Sequence, residues 1–406
     1  MPEFNNDSTR AERLVTPTAS DRRLPDVSRA LTPYDVDRIL QRANDGDPRD
    51  QARLAMEVLE KDWDIAQAIQ TRIAAVGATP WDLHPADDSA LATEVAGFCA
   101  AALKDASPTA TDPDLLGFGG LVRGLMSALL PGYAVAEIVW SDGGAGIQGF
   151  QVVPAHHFTF RDGADPLLVT ATQPTGVALP PGKFIVFRHN HRPGDVVRSG
   201  LIRPLAWLYA FKNLNFKDLL RYTEKFGMPF LIARLDDYAF DQERLRIAAM
   251  IRHFASDGGG VFTKSADLEL LQPSGNSGDV YFRFLDYCER AINKVILGQT
   301  STSDSRDSNR STASVHNLIR LDLRSDDCGA LAETIERQLL RPLVHYNYGP
   351  AAPVPRFCFR CAAEIDRERE SRILLNLRQA GYDVAPEAVE AAFGYSLRPA
   401  HPATAD

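Results

Sequence analysis

The sequence predicts an α+β fold, and three observations carry that prediction. Amphipathic helical segments over roughly the first hundred residues give way, at Tyr133, to short runs rich in β-branched and aromatic residues separated by turn signals. Two long helices, Pro204–Phe226 and Val280–Leu297, flank a compact insert of short strands. A polar run, Gln299–Ser314 (QTSTSDSRDSNRSTAS), then separates the second of these helices from a third.

With 406 residues, 45% of them hydrophobic, the chain can form two or three substructures with real cores. A net charge of −9 argues against coating nucleic acid through a basic surface, because phosphate neutralisation needs an excess of Lys and Arg. It leaves room for a protein that guides DNA without gripping it. Five cysteines, Cys99, Cys288, Cys328, Cys358 and Cys361, are odd in number and widely spaced, which points to free thiols in a reducing compartment. No apolar run approaches the ~20 residues that span a bilayer, and no secretory leader is evident, so a soluble, intracellularly made chain is expected.

Residues 1–26 are polar and aperiodic and read as a loose arm. Thr32-Pro33 places an N-cap before a proline at the first helical position, so a helix opens there. From about Pro48, a near-3.6 period through Leu54, Met56, Leu59, Trp63, Ile65, Ile69 and Ile73 predicts one further helix. GATPWDL (77–83) reads as a turn into a strand, and Ser89–Lys104 and Gly117–Leu130 read as helices. YAVAEIVW (133–140) is a strand, Asp142-Gly143-Gly144 a turn, and Ile147–Val153 the returning arm of a hairpin. Further short strands are expected at Phe158–Arg161, Leu167–Ala171 and Lys183–Arg188.

In Pro204–Phe226, proline suits the first helical turn, and Gly227 and Pro229 stop the helix. Its length is about 35 Å at ~1.5 Å per residue. Leu205, Trp207, Leu208, Tyr209, Phe211, Leu214 and Phe216 make its first half apolar almost all round, so more than one side is buried. The second half is basic: Lys212, Lys217, Arg221 and Lys225 against Asp218 and Glu224. Two readings follow, a central core helix, or a helix packed between identical neighbours in a ring with its charged end near a polyanion. The insert reads as strand Phe230–Leu235, helix Asp241–Phe254, and strands Val261–Thr263 and Leu268–Leu271. Two long helices flanking it should lie side by side if the insert returns the chain to its starting point. After the polar run, a helix from Ser311 or Thr312 carries Val315, Leu318, Ile319, Leu323, Leu331, Ile335, Leu339 and Leu340, ending before Pro342 or near Tyr348-Gly349. A strand at Arg356–Cys361 and helices at Glu364–Ala380 and Pro386–Phe393 close the chain.

Candidate chemistry is sparse. His189-Asn190-His191 is contiguous and followed by Arg192-Pro193-Gly194-Asp195, which reads as a polar turn. His156-His157 are adjacent at a strand boundary and would face opposite ways, a poor chelating pair. Cys358-Phe359-Arg360-Cys361 has half the spacing of a zinc site, without a second pair, and its alternation suggests a strand. Asp257-Gly258-Gly259-Gly260 lacks the ending of a phosphate loop. Asp304/Asp307 and Asp326-Asp327 read as solvated charge. No catalytic residue, metal ligand set or cofactor is therefore assigned.

The arrangement resembles the portal (head–tail connector) proteins of Mu-like tailed bacteriophages and prophages. The stretches that carry the resemblance are LTPYDVDRILQRANDGD (31–47), DWDIAQAIQTRIAAVGATPWDL (62–83), PGYAVAEIVW (131–140), residues 191–236 around the long helix, ILGQTSTSDS (296–305) and residues 315–349.

The resemblance implies a portal fold. After the arm (1–26) come an α+β wing (27–198), stem helices (199–227 and 279–298) around a clip (228–278), a tunnel loop (299–314), a long helix returning to the wing (315–349) and a crown-like end (350–406) shorter than in many members. It implies a non-enzymatic subunit of a homo-oligomeric ring, usually a dodecamer, at one capsid vertex of the virion, made in the host cytoplasm. Double-stranded DNA would pass through it, with terminase, major capsid protein and head–tail adaptors as partners and no membrane. Thr300, Ser301, Thr302, Ser303, Asp304, Ser305, Arg306 and Arg310 would lie on the loop facing the channel. Leu205, Leu208, Phe211, Leu214 and Phe216 would face neighbouring subunits, and Lys217, Arg221 and Lys225 would come near DNA or the clip. The competing expectations are a phage-encoded, metal-dependent DNA-processing enzyme with ligands among His189, His191 and nearby acids, and a minor head or adaptor protein.

Overall fold

The computed structural model describes residues 26–108, 112–141, 146–160, 165–170, 173–189, 195–226, 230–234, 267–271, 277–299, 310–361 and 367–383, with scattered positions between 241 and 249 and between 385 and 390. The arm at 1–25, most of the insert, the loop at 300–309 and nearly all of the predicted helix Pro386–Phe393 lie outside them.

Three helices open the fold: α1 (Pro33–Asn44), α2 (Arg49–Lys61) and α3 (Trp63–Gly77). Thr32 and Asp35 close a reciprocal capping box at the start of α1, as the Thr-Pro signal predicts. The single helix expected from Pro48 is two. Asp62 leaves helical geometry, and its carboxylate accepts from the backbone N–H groups of Asp64 (3.0 Å) and Ile65 (3.2 Å), capping α3. β1 (Trp81–His84), α4 (Ala90–Asp105) and α5 (Phe118–Leu125) follow.

β2 (Tyr133–Trp140) is the centre of an antiparallel sheet, flanked by β3 (Ile147–Val153) and β7 (Phe184–Arg188), and every residue of β2 is buried. β4 (Phe158–Thr159), β5 (Leu167–Leu168) and β6 (Val177–Ala178) form a second small sheet, in which β4 and β5 are shorter than expected and β6 was not foreseen. The outer edge of β7 is closed by a side chain. Gln338 accepts from the Val186 N–H (2.8 Å) and donates to its carbonyl (2.9 Å), so the amide replaces a missing strand.

The long helix α6 runs Ile202–Phe226, two residues earlier than its proline suggests. Pro204 costs nothing there, since N–H groups of the first turn have no helical acceptor. Its entry is fixed by a close backbone crossing: Leu201 and Ile202 N–H donate to the Leu129 and Leu130 carbonyls (2.9 and 3.0 Å). A Cβ on Gly132 (φ +99°) would lie 2.5 Å from the Val196 carbonyl oxygen, and one on Gly200 would lie 2.3 Å from that of Leu130. Only glycines permit that approach.

β8 (Phe230–Arg234) pairs antiparallel with β9 (Asp267–Leu271), so the described part of the insert does return the chain to its starting point. α7 (Ser277–Leu297) then packs back along α6, and α8 (Arg310–Ile335) follows the polar run. A π-helical turn, Glu336–Leu340, leads into α9 (Arg341–Tyr348). Pro342 therefore does not end the helix; it follows directly on the π-helical turn. β10 (Arg356–Phe359) pairs antiparallel with β1, Trp81 opposite Phe359. The strand that follows residue 350 thus pairs with one from the α+β body. α10 (Arg367–Gln379) follows. Among the described residues no helix is long and apolar enough to cross a membrane.

Candidate functional site

Helix α6 divides along its length. In its first half Leu205, Ala206, Tyr209 and Ala210 are buried in the chain's own core, each large side chain contributing about 1.5–3 kcal/mol of hydrophobic stabilisation. Leu205 is fully buried, so the structure removes it from the set expected to face a neighbour; Leu208 is half-buried against the same core. Farther along, Phe211, Leu214, Phe216 and Leu220 are 41, 40, 41 and 54% exposed.

The seam between α6 and α7 is marked by Asn215, whose side-chain amide donates to the Tyr281 carbonyl (3.1 Å), and by the Tyr222–Tyr281 ring contact at 5.7 Å. At ~100° per residue, Phe211 and Leu214 fall on one flank of that seam and Phe216 and Leu220 on the other. α7 repeats the pattern, with exposed Val280 and Tyr287 on one flank and exposed Phe282 on the opposite one. Exposed Trp63 stands edge-on to Phe216 at 6.4 Å and extends its flank onto the body. The hairpin thus presents two unlike apolar faces.

The basic residues divide as well. Lys212 is buried: its Nζ lies 2.9 Å from both Asp62 oxygens, 2.6 Å from Asp64 Oδ2 and 4.5 Å from the Trp63 ring centroid. It anchors the hairpin to the cap of α3 and is not part of a basic surface. Lys217 and Arg221 are exposed, on the side turned away from α7, with Arg221 donating to Asp218 (3.4 Å). Lys225 lies in the last turn of α6.

Of the expected channel residues, Thr300, Ser301, Thr302, Ser303, Asp304, Ser305 and Arg306 lie outside the described residues, and Arg310 opens α8. The start of that loop is anchored. α7 stops at Gly298 (φ +68°), where a Cβ would approach Ile319 Cγ2 to 3.0 Å. Arg72 of α3 holds Asp327 of α8 through two bonds (2.7 and 2.8 Å) and donates a third to the Ile296 carbonyl in the last turn of α7 (3.0 Å). Both side chains are under 10% exposed. One buried guanidinium therefore fixes the helices on either side of the loop.

The remaining chemical candidates do not converge. His189 is buried with Nε2 3.9 Å from Asp327 Oδ1, while Asn190 and His191 lie outside the described residues. His156 and His157 sit in a 3-10 turn with their rings 4.4 Å apart, so they stack and do not face opposite ways as a strand would place them. Burial pushes the Cys328 thiol up to about 12. Cys358 and Cys361 are half-buried, and among the described residues no group of three or more His, Cys, Asp or Glu could hold a metal ion.

An α+β body carrying an antiparallel helical hairpin with a strand pair at its far end is also the fold of chains in gene transfer agent particles. One, in the neck of an empty particle computed with C6 symmetry, aligns with a TM-score of 0.57 at 12% identity over 86% of this chain and 94% of that one. Another, in the neck of a native particle computed with C12 symmetry, aligns at 0.56 and 12% identity over 84% and 93%. The family model for the portal protein of Mu bacteriophage matches residues 52–395, and the chain belongs to that family. It is 29% identical over 330 residues to the portal protein of Escherichia phage Mu, covering 79% of this chain. It is 28% identical over 348 residues to the Mu-like prophage FluMu protein gp29 of Haemophilus influenzae, covering 83% of this chain. The matched regions span 62% and 65% of those two relatives.

Proposed function

We propose that the chain is a structural portal subunit that closes into a ring with copies of itself, around a channel for double-stranded DNA. The observation that carries this is the pair of unlike apolar faces on the α6–α7 hairpin. A two-fold dimer needs one self-complementary patch, whereas a head-to-tail ring needs two different ones on each subunit. Phe211, Leu214 and Tyr287 of one copy would meet Phe216, Leu220, Phe282 and Trp63 of the next. The family supports the same reading, and the symmetric necks in which the fold recurs support a closed ring.

In this reading the α+β body is the wing, α6 and α7 are the stem, and β8 and β9 belong to the clip. The loop between Gly298 and Arg310 reaches the channel, and Arg72 ties the helix before it to the body of the helix after it. An acidic chain whose loop offers hydroxyls and only scattered arginines would let DNA slide, because each neutralised phosphate adds affinity through counterion release. Terminase, major capsid protein and head–tail adaptors are the expected partners of the assembled vertex. Negative-stain imaging of the purified full chain tests the reading. Rings with a central hole are expected; monomers or dimers alone across a range of salt would overturn it. Deleting Thr300–Ser308 should leave rings intact and impair DNA retention.

A further inference from the structure

Three of the five cysteines line one cavity of about 380 Å³ beside β10. Cys328 comes from α8, and Cys358 and Cys361 come from β10 and the turn that follows it. Both elements are held in place by bonds that do not involve sulfur. Asp327, the residue before Cys328, is gripped by Arg72 through two bonds, which fixes how α8 is turned. Past the end of β10, the Arg360 N–H donates to the Pro80 carbonyl (2.7 Å) and the Cys361 N–H to the Phe359 carbonyl (3.0 Å). With α8 packed across β10, these anchors bring the Cys328 and Cys361 thiols within hydrogen-bonding reach of each other.

The two thiols are not alike. Cys328 is 2% exposed, and burial holds its thiol up at about 12, so it stays protonated. Cys361 is half-buried and opens onto the cavity, where a small reagent can reach it. Gly329, next to Cys328 on the cavity wall, has open space where a side chain would stand. The thiolate is the attacking species, so the accessible Cys361 reacts first and the buried Cys328 second. Sulfurs already in contact reach bonding distance by side-chain rotation when their Cα atoms lie within about 7 Å.

We propose that Cys328 and Cys361 are a latent disulfide, closed by a low-molecular-weight disulfide such as oxidised glutathione. The Cys361 thiolate attacks one sulfur of the reagent, forming a mixed disulfide and expelling one reduced thiol. The Cys328 sulfur then attacks the Cys361 sulfur and expels the second. The two protein thiols lose two electrons, the reagent gains the same two, and the thiol protons end, through solvent, on the two expelled thiols. The closed bond ties the chain after β10 to α8. It lies within one chain, so it is independent of the portal reading.

The test uses the reduced full chain, incubated with oxidised glutathione, quenched with acid and mapped by peptide mass spectrometry. A Cys328–Cys361 cross-linked peptide is expected in the wild type and in Cys358→Ser. Cys328→Ala should instead accumulate glutathione on Cys361. Because the second step needs the Cys328 thiolate, conversion of the mixed disulfide should quicken about tenfold per pH unit between about pH 7 and 9. Closure should also raise the melting temperature, and dithiothreitol should reverse the rise, with no such change in Cys361→Ser. A wild type that keeps both thiols, joins Cys361 to Cys358 instead, or holds glutathione on Cys361 without resolving it would overturn the proposal.

Discussion

The two halves of helix α6 differ in what completes them. The first half is finished by its own chain: Leu205 and Tyr209 are buried in the core, and Lys212 ends in the carboxylates of Asp62 and Asp64. From Leu214 onward the helix is left open, with Leu214, Phe216 and Leu220 all at least 40% exposed, and Phe211 is already exposed on the flank of Leu214. In the proposed ring, one continuous helix would serve intramolecular packing at one end and intermolecular packing at the other. The ion pairs follow the same division, buried where the chain closes on itself and solvated where it does not.

The largest expected effect breaks the open half. Leu214→Asp should abolish assembly in sedimentation velocity while leaving denaturant stability of the isolated subunit within about 0.5 kcal/mol, as for ordinary surface changes. A loss of fold would mean that the face is packed intramolecularly. Breaking the closed half should do the reverse. Arg72→Met leaves Asp327 buried without its partner and should cost about 3–5 kcal/mol in urea denaturation, with much of that recovered by adding Asp327→Leu. Lys212→Met should be milder, about 2 kcal/mol, since Asp64 retains some solvent access.

The smallest effect lies between α1 and α2. Hydrogen bonds from Arg49 chiefly, with Arg42, hold the Asp47 carboxyl down at about 2. A lowered folded-state value contributes stability above the unfolded value of about 4 and loses it as pH falls toward 2. The urea midpoint should decline gently over that window, and Asp47→Asn should flatten the decline, by less than the surface ion-pair scale of about 1 kcal/mol.

Much of this was legible in the sequence. Caps, turn residues and periodicity located α1, the β2–β3 hairpin, both long helices and the strand pair between them, because those signals are local. What remained hidden depends on distant partners. An almost uniformly apolar helix has little moment to orient it, so Leu205 and Phe211 looked alike although one is internal and the other open. The break at Asp62 was masked by an apolar period that continues across it. Arg72 meets a partner 255 residues away, and Lys212 one 150 residues away. A signal did exist for the first: Arg72 shares a helical stripe with buried Ile65, Ile69 and Val76, where a charge must find a partner. The β1–β10 pairing had no such marker, so the strand after residue 350 was assigned to a separate end region.

The claim that the hairpin carries two unlike, mutually complementary faces is tested most directly by cross-linking. In a Cys358→Ser/Cys361→Ser background, Leu214→Cys and Phe216→Cys in one chain should give, with a short bismaleimide, a ladder of oligomers that stops at the closed ring. Either cysteine alone should give almost none. A single-cysteine chain that cross-links efficiently to a dimer and goes no further would contradict the account, because that is the signature of one self-complementary face.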